Sequence, residues 1–158
     1  MGRIRFLPIK ERSTRLLIAI VAAILMSACS TVVTNSKGWI EPIEAIRAAN
    51  EDPAQGVRGE FIVTVKALDS SGGWSFVNSE QDYRDQRNLT IKMPTAMVPA
   101  LEQNLGVKFS ELMNRRLVFR GVAKRVRINF TNNGLPSGKY YYQTHVQVED
   151  PSQIRFAN

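Results

Sequence analysis

The chain has 158 residues, room for one ordinary domain and not for a second of catalytic size. Its formal charge of +7 suggests a nucleic-acid binder, but five of the basic residues (Arg3, Arg5, Lys10, Arg12, Arg15) lie in the first fifteen positions beside the single acid Glu11. Without residues 1–28 there remain 16 basic and 13 acidic side chains, a net +3, so any argument from charge rests on where the charges sit. The single cysteine, Cys29, excludes an internal disulfide and any multi-cysteine metal site.

After the basic start, Leu16 to Ala28 form an uncharged apolar run of 13 residues ending in small side chains. Crossing a bilayer takes about 20 apolar residues, so the run is too short for a membrane span and has the layout of a secretory signal. Its end, Leu25-Met26-Ser27-Ala28-Cys29-Ser30, resembles the lipobox of bacterial lipoproteins, with Met26 where that family most often has Leu. The resemblance implies cleavage before Cys29, lipid on Cys29 and attachment to a membrane. Ser30 in place of Asp resembles proteins sent to the outer membrane, facing the periplasm, if the organism is Gram-negative. Residues 1–28 are thus read as a signal peptide and residues 29–38 as a lipidated terminus and polar tether, ahead of one domain over 39–158.

Within that domain, Trp39, Ile43 and Ile46 recur at helical spacing, and Pro42 suits a first turn, predicting a short helix over 42–49 that packs Trp39 and both isoleucines. From Arg58 the pattern changes to period two, with Phe61, Val63, Val65 and Ala67 on one face of a first strand. Residues 69–73 read as a turn, Trp74–Asn78 as a second strand and Leu89–Met93 as a third. Thr95–Leu105 carries a helical stripe stopped by Gly106. A fourth strand runs from Arg115 to Phe130. Its apolar parity switches from odd (Leu117, Phe119, Ala123) to even (Val126, Ile128, Phe130), predicting one extra residue near Gly121–Lys124. Residues 131–139 read as a loop and Tyr140–Val148 as a fifth strand.

This order predicts a mainly β fold, a five-stranded Greek-key barrel with a helix between strands three and four and a short N-terminal helix. It is the order of the OB-fold. Val146–Ile154 and Phe76–Asp85 resemble the closing strand and the second hairpin of small bacterial OB modules, some of them in secreted or nuclease-related proteins.

No catalytic constellation is legible. The lone His145 falls outward on the fifth strand with no nucleophile or orienting carboxylate in its pattern. Glu80, Asp82 and Asp85 cluster with Arg84 and Arg87, but in a single loop, unlike the distributed acids and arginines of an OB-fold nuclease family. They are read as a solvated, ion-paired turn, and no metal or cofactor is expected. Of Tyr140, Tyr141 and Tyr142, two face one way and Tyr141 the other, where an aromatic could stack on a base or sugar.

The fourth strand holds six basic residues and no acid between Arg115 and Arg127. With the extra residue in place, Arg116, Arg120, Arg125 and Arg127 form one outward stripe suited to an anion. The candidate ligand residues are these four, Tyr141 and His145, with Cys29 as the lipidation site.

The expected function is a noncatalytic, monomeric, lipid-anchored binding module outside the cytoplasm, recognising an envelope protein or an anionic polymer. Nucleic acid fits the charge but is not the expected partner there. The alternatives are a structural lipoprotein that docks another envelope protein, and a secreted OB-fold nuclease or hydrolase.

Overall fold

A computed structural model describes residues 31–158. Cys29 and the segments expected to be a signal peptide (1–28) and the start of a tether lie outside the described residues.

Helix α1 (Pro42–Glu51) begins on Pro42 as expected and runs two residues further than the sequence suggests, with Arg47 pairing Glu44 and Glu51 one turn away on either side. Its buried face differs from the expected one. Ala45, Ala48 and Ala49 are buried, while Ile43 is exposed and Ile46 half-buried. The alanines let the helix lie close against the sheet, chiefly on the first and fifth strands. Trp39 packs separately, on Ile62 and Val118 on the opposite side of those strands.

The sheet has seven strands: β1 (Val57–Thr64), β2 (Ala67–Ser71), β3 (Trp74–Asn78), β4 (Leu89–Pro94), β5 (Arg116–Asn132), β6 (Leu135–Gln147) and β7 (Ile154–Phe156). The hydrogen-bonded order is β1-β5-β6-β4-β3-β2, with β7 beside the first half of β5. All pairings are antiparallel except β4 with β6.

The first strand foreseen in the sequence is therefore two. Val65 bonds Arg115 and Asn114, and Lys66 turns to Asn78, so the chain leaves β5 at Thr64 and joins β3 at Ala67. The turn expected over 69–73 shrinks to Gly72-Gly73, both at positive φ, which a two-residue hairpin requires. Between β4 and β5 the expected helix is a 3₁₀ turn (Thr95–Met97) followed by α2 (Val98–Leu105), closed by Gly106 in the left-handed region.

Alternation along these strands makes the core. Phe61 and Val63 from β1, Val77 from β3, Leu89, Ile91 and Met93 from β4, Leu117 and Phe119 from β5, and Val146 from β6 meet Leu101 of α2 in one fully buried cluster. Losing any of the larger side chains to Ala costs about 3 kcal/mol or more through lost burial and the cavity left behind. Gly121 sits where β6 crosses closely: a Cβ there would lie 2.7 Å from Val146 Cγ1.

The extra residue expected near Gly121–Lys124 is absent. Arg116 to Ala123 pair with β1 and Ala123 to Asn129 with β6 in unbroken register, and the one irregularity falls between Asn129 and Thr131. The apolar parity switches because the strand changes surroundings. Up to Ala123 its odd face fills the core; beyond it, the half-buried apolar residues are the even Val126 and Ile128. The predicted loop 131–139 is in fact the end of a long β5–β6 hairpin turning at Asn133-Gly134, both at positive φ. Among the described residues no helix is long and apolar enough to cross a membrane.

Candidate binding sites on the two faces of the β5–β6 hairpin

Because side chains alternate along β6, Tyr141, Gln143 and His145 look to one face while Tyr140, Tyr142 and Thr144 look to the other. Each face borders a cavity.

The first is a groove of about 360 Å3 across the outward face of β3, β4 and β6, within the usual size range of small-molecule sites. Its floor is Phe76, Thr90 and Lys92, its far rim Asp69 and Ser71, and its near wall Tyr141 and His145. Lys92 Nζ lies 3.9 Å above the Trp74 ring, which holds the ammonium at the groove floor. Tyr141 packs on Phe130 with ring centroids 5.2 Å apart.

The polar wall is ordered by a chain of hydrogen bonds. Gln143 Nε2 donates to Tyr83 O (2.8 Å) and the Tyr141 hydroxyl (3.1 Å), which turns its Oε1 toward His145 Nε2 at 2.6 Å. His145 therefore carries a proton on Nε2 and donates it to Gln143 Oε1. Burial, and secondarily the Lys92 charge, pushes its pKa down from 6.5 to about 4. The unfolded chain takes up this proton as pH falls from 6.5 to 4 and the native protein does not. Stability is thus complete above 6.5 and declines toward pH 4, by up to about 3 kcal/mol. Urea unfolding between these pH values should show the decline in the wild type and lose most of it in His145→Gln. A wild-type stability that stays flat across the window would refute the burial. Asp85, held at about 2 first by the Arg87 side chain, and Glu44, held at about 2 first by the Arg47 side chain, weaken the fold mainly below their ordinary 3.8 and 4.5, and the decline that persists in His145→Gln is theirs.

Beneath the groove lies a buried amide network. Asn88 Nδ2 reaches Asn78 Oδ1 (3.0 Å), Tyr83 O (3.2 Å) and Thr90 Oγ1 (2.9 Å), and its Oδ1 accepts from Glu80 N (3.0 Å). These bonds shape the loop between β3 and β4 that carries Tyr83 and Arg84.

The second cavity, about 450 Å3, lies on the other face, between the C-terminal end of α1, that same loop and the foot of the hairpin. Arg125, Tyr142 and Thr144 line it, with Asn50, Arg84 and Gln86 opposite. The Arg125 guanidinium stacks 3.6 Å from the Tyr142 ring, and Arg127 4.0 Å from Tyr140.

Of the sequence-derived candidates, Tyr141 and His145 come together in the groove. The four arginines do not form one stripe. Without an extra residue at Gly121–Lys124, Arg116 and Arg120 have even parity and Arg125 and Arg127 odd parity, so the pairs face opposite sides of the strand. Glu80, Asp82 and Asp85 each pair with a cation (Lys66, Arg84, Arg87), and among the described residues no cluster of acids, histidine or cysteine is placed to hold a metal. The groove residues Phe76, Thr90 and Lys92 were not singled out in the sequence; only the strand register joins them to Tyr141.

No family model matches the chain, and no curated protein matches it.

Proposed function

We propose that the chain is a noncatalytic binding module of the bacterial cell envelope, held on a membrane by lipid on Cys29, and that the groove walled by Tyr141 and His145 takes up an envelope partner or anionic polymer. The observation that carries the reading is the groove itself: aromatic, cationic and amide groups converge on a concave sheet face whose one lining carboxylate is Asp69 on the far rim, while Glu80, Asp82 and Asp85 of the adjoining loop are occupied by ion pairs. We read the architecture as an OB-like barrel. The strand order supports this, since its two ends, β1 and β2, are consecutive halves of one bent segment joined through Val65 and Lys66. So does the parallel β4–β6 pair with α2 between β4 and β5. On an OB barrel, the outer face flanked by the hairpin loops is where ligands are bound.

The experiment is photo-crosslinking in cells from probes at Phe76 and Tyr141, followed by identification of the captured species. A discrete partner or polymer, captured from both positions and lost when Lys92→Ala is introduced, is the expected result. Capture with the same yield from a probe at Arg116, which lines neither cavity, would remove the groove from consideration. For the anchor, Cys29→Ala should leave an unprocessed, unlipidated precursor, because no thiol remains to accept the acyl group. Equal incorporation of labelled fatty acid into wild type and variant would refute it.

A further inference from the structure

The second cavity shares Tyr141 and Gln143 with the groove, but the rest of its lining carries a different chemistry. Its principal cation is Arg125, half-buried, with the Nε sealed from solvent and without a hydrogen-bond partner. Among the described residues no carboxylate lies within ion-pair distance of Arg125 or Arg127. No acid occurs between Lys124 and Gln147. The rings of Tyr142 and Tyr140 hold the two guanidinium groups in place, so little side-chain freedom is lost when an anion binds. Around Arg125 the cavity wall offers the carboxamides of Asn50 and Gln86, the Thr144 hydroxyl and Arg84, itself paired with Asp82, while the one carboxylate in the wall, Asp85, is paired with Arg87. Donors on several sides suit a tetrahedral oxyanion better than a planar carboxylate.

Arg127 follows two residues along the same face of β5, a rise of about 6.6 Å on a strand. A phosphodiester chain has six backbone bonds per repeat, twice a peptide unit, and so extends about 7 Å from one phosphate to the next. The spacings match. The tyrosine faces that could stack on bases already carry the protein's own arginines.

We propose that this face of the hairpin binds a base-free phosphodiester chain, such as a polyol phosphate, with one phosphate seated at Arg125 in the cavity and the next at Arg127. The assignment rests on reading the chain as a binding module, but not on the groove.

The test is fluorescence anisotropy on the full-length chain in mild detergent, using poly(glycerol phosphate), an abasic oligodeoxynucleotide, oligothymidylate and poly-glutamate of equal length. The three phosphodiesters should bind with similar affinity and poly-glutamate at least tenfold more weakly, by roughly one charge-assisted contact. With a slope of about 0.7 per phosphate, two contacts predict a loss of about sevenfold between roughly 50 and 200 mM salt. Arg125→Gln with Arg127→Gln should weaken phosphodiester binding by about tenfold or more. Arg127→Gln alone, at an exposed position, gives the same direction with no cost to folding. Oligothymidylate binding far more tightly than the abasic strand would overturn the proposal, as would poly-glutamate binding equally well or the arginine variants binding unchanged. Phe76→Ala in the groove should leave phosphodiester binding intact, so failure of the groove reading and failure of this one give different patterns.

Discussion

Gly56→Ala should lower the stability of the domain by about 3 to 5 kcal/mol, the largest single-residue effect expected outside the core. Gly56 has φ +71°, a conformation that costs an L-residue about 1 to 2 kcal/mol by itself. The rest is collision. A Cβ at this position would lie 2.3 Å from the carbonyl oxygen of Ala123 and 2.8 Å from Lys124 Cγ, and the nearer obstacle is backbone. Relief requires moving Val57 away from Ala123, the last pair of the β1–β5 ladder and the point where the long hairpin departs. For a domain of this size the melting temperature should fall by roughly 15 °C. Gly72→Ala is the control, because Gly72 also has positive φ (+58°) but open space around its Cβ position. If both substitutions cost the same, the close approach at Ala123 is wrong.

Asn88→Ala should cost about 3 kcal/mol, although it removes only a small polar side chain. Asn88 is 2% exposed. Its removal leaves the Glu80 N–H and the Tyr83 carbonyl short of a partner and opens the bonds to Asn78 and Thr90 in a place that water reaches poorly. An unmet buried donor or acceptor costs about 1 to 3 kcal/mol; the Glu80 N–H is left as one, and the Tyr83 carbonyl and Asn78 Oδ1 each lose one of two donors. Tyr83 O also accepts from Gln143, so the loop that walls both cavities loosens along with the fold. Asn88→Asp tests the donor specifically: it keeps the shape but cannot donate, and it should be at least as damaging at neutral pH and partly recover on acidification. A loss below about 1 kcal/mol in denaturant unfolding of Asn88→Ala would show that the network contributes little.

Much of the architecture could be read from alternation alone. The parity of Tyr142, Thr144, Val146 and Val148 against Gln143, His145 and Gln147 is the observed one, with Thr144, Val146 and Val148 buried. The place of α2 followed from a helical stripe and a stop glycine. What could not be read depends on partners distant in sequence. The break at Val65 exists because Thr64 and Ala67 pair with different strands, which no local pattern encodes. Three-residue β7 carries too short a pattern to announce itself and is a strand only because Leu117–Phe119 offer an edge. The switch in parity on β5 was a true signal with two physical explanations, an inserted residue or a change of surroundings, and register alone distinguishes them. The Asn133-Gly134 turn was legible, since that dipeptide favours a two-residue hairpin, and the flanking polar residues masked it. For the site, Tyr141 and His145 could be placed because they share a strand. Lys92 and Phe76 could not, because the groove is assembled across strands.

Beyond Ala123 on β5 and before Thr144 on β6, the hairpin is paired only with itself. Both of its edges therefore present unpaired backbone donors and acceptors, next to the exposed side chains of Phe130, Leu135, Tyr140 and Tyr142. Such a ribbon is a template for strand addition by another copy of the chain, a route to aggregation. The charges of Lys124, Arg125, Arg127 and Lys139 oppose it, because two identical ribbons approaching edge to edge bring like charges together. Neutralising these residues would remove that repulsion, so a polyanion that occupied the arginines would also decide whether two copies of the chain stay apart or join their ribbons.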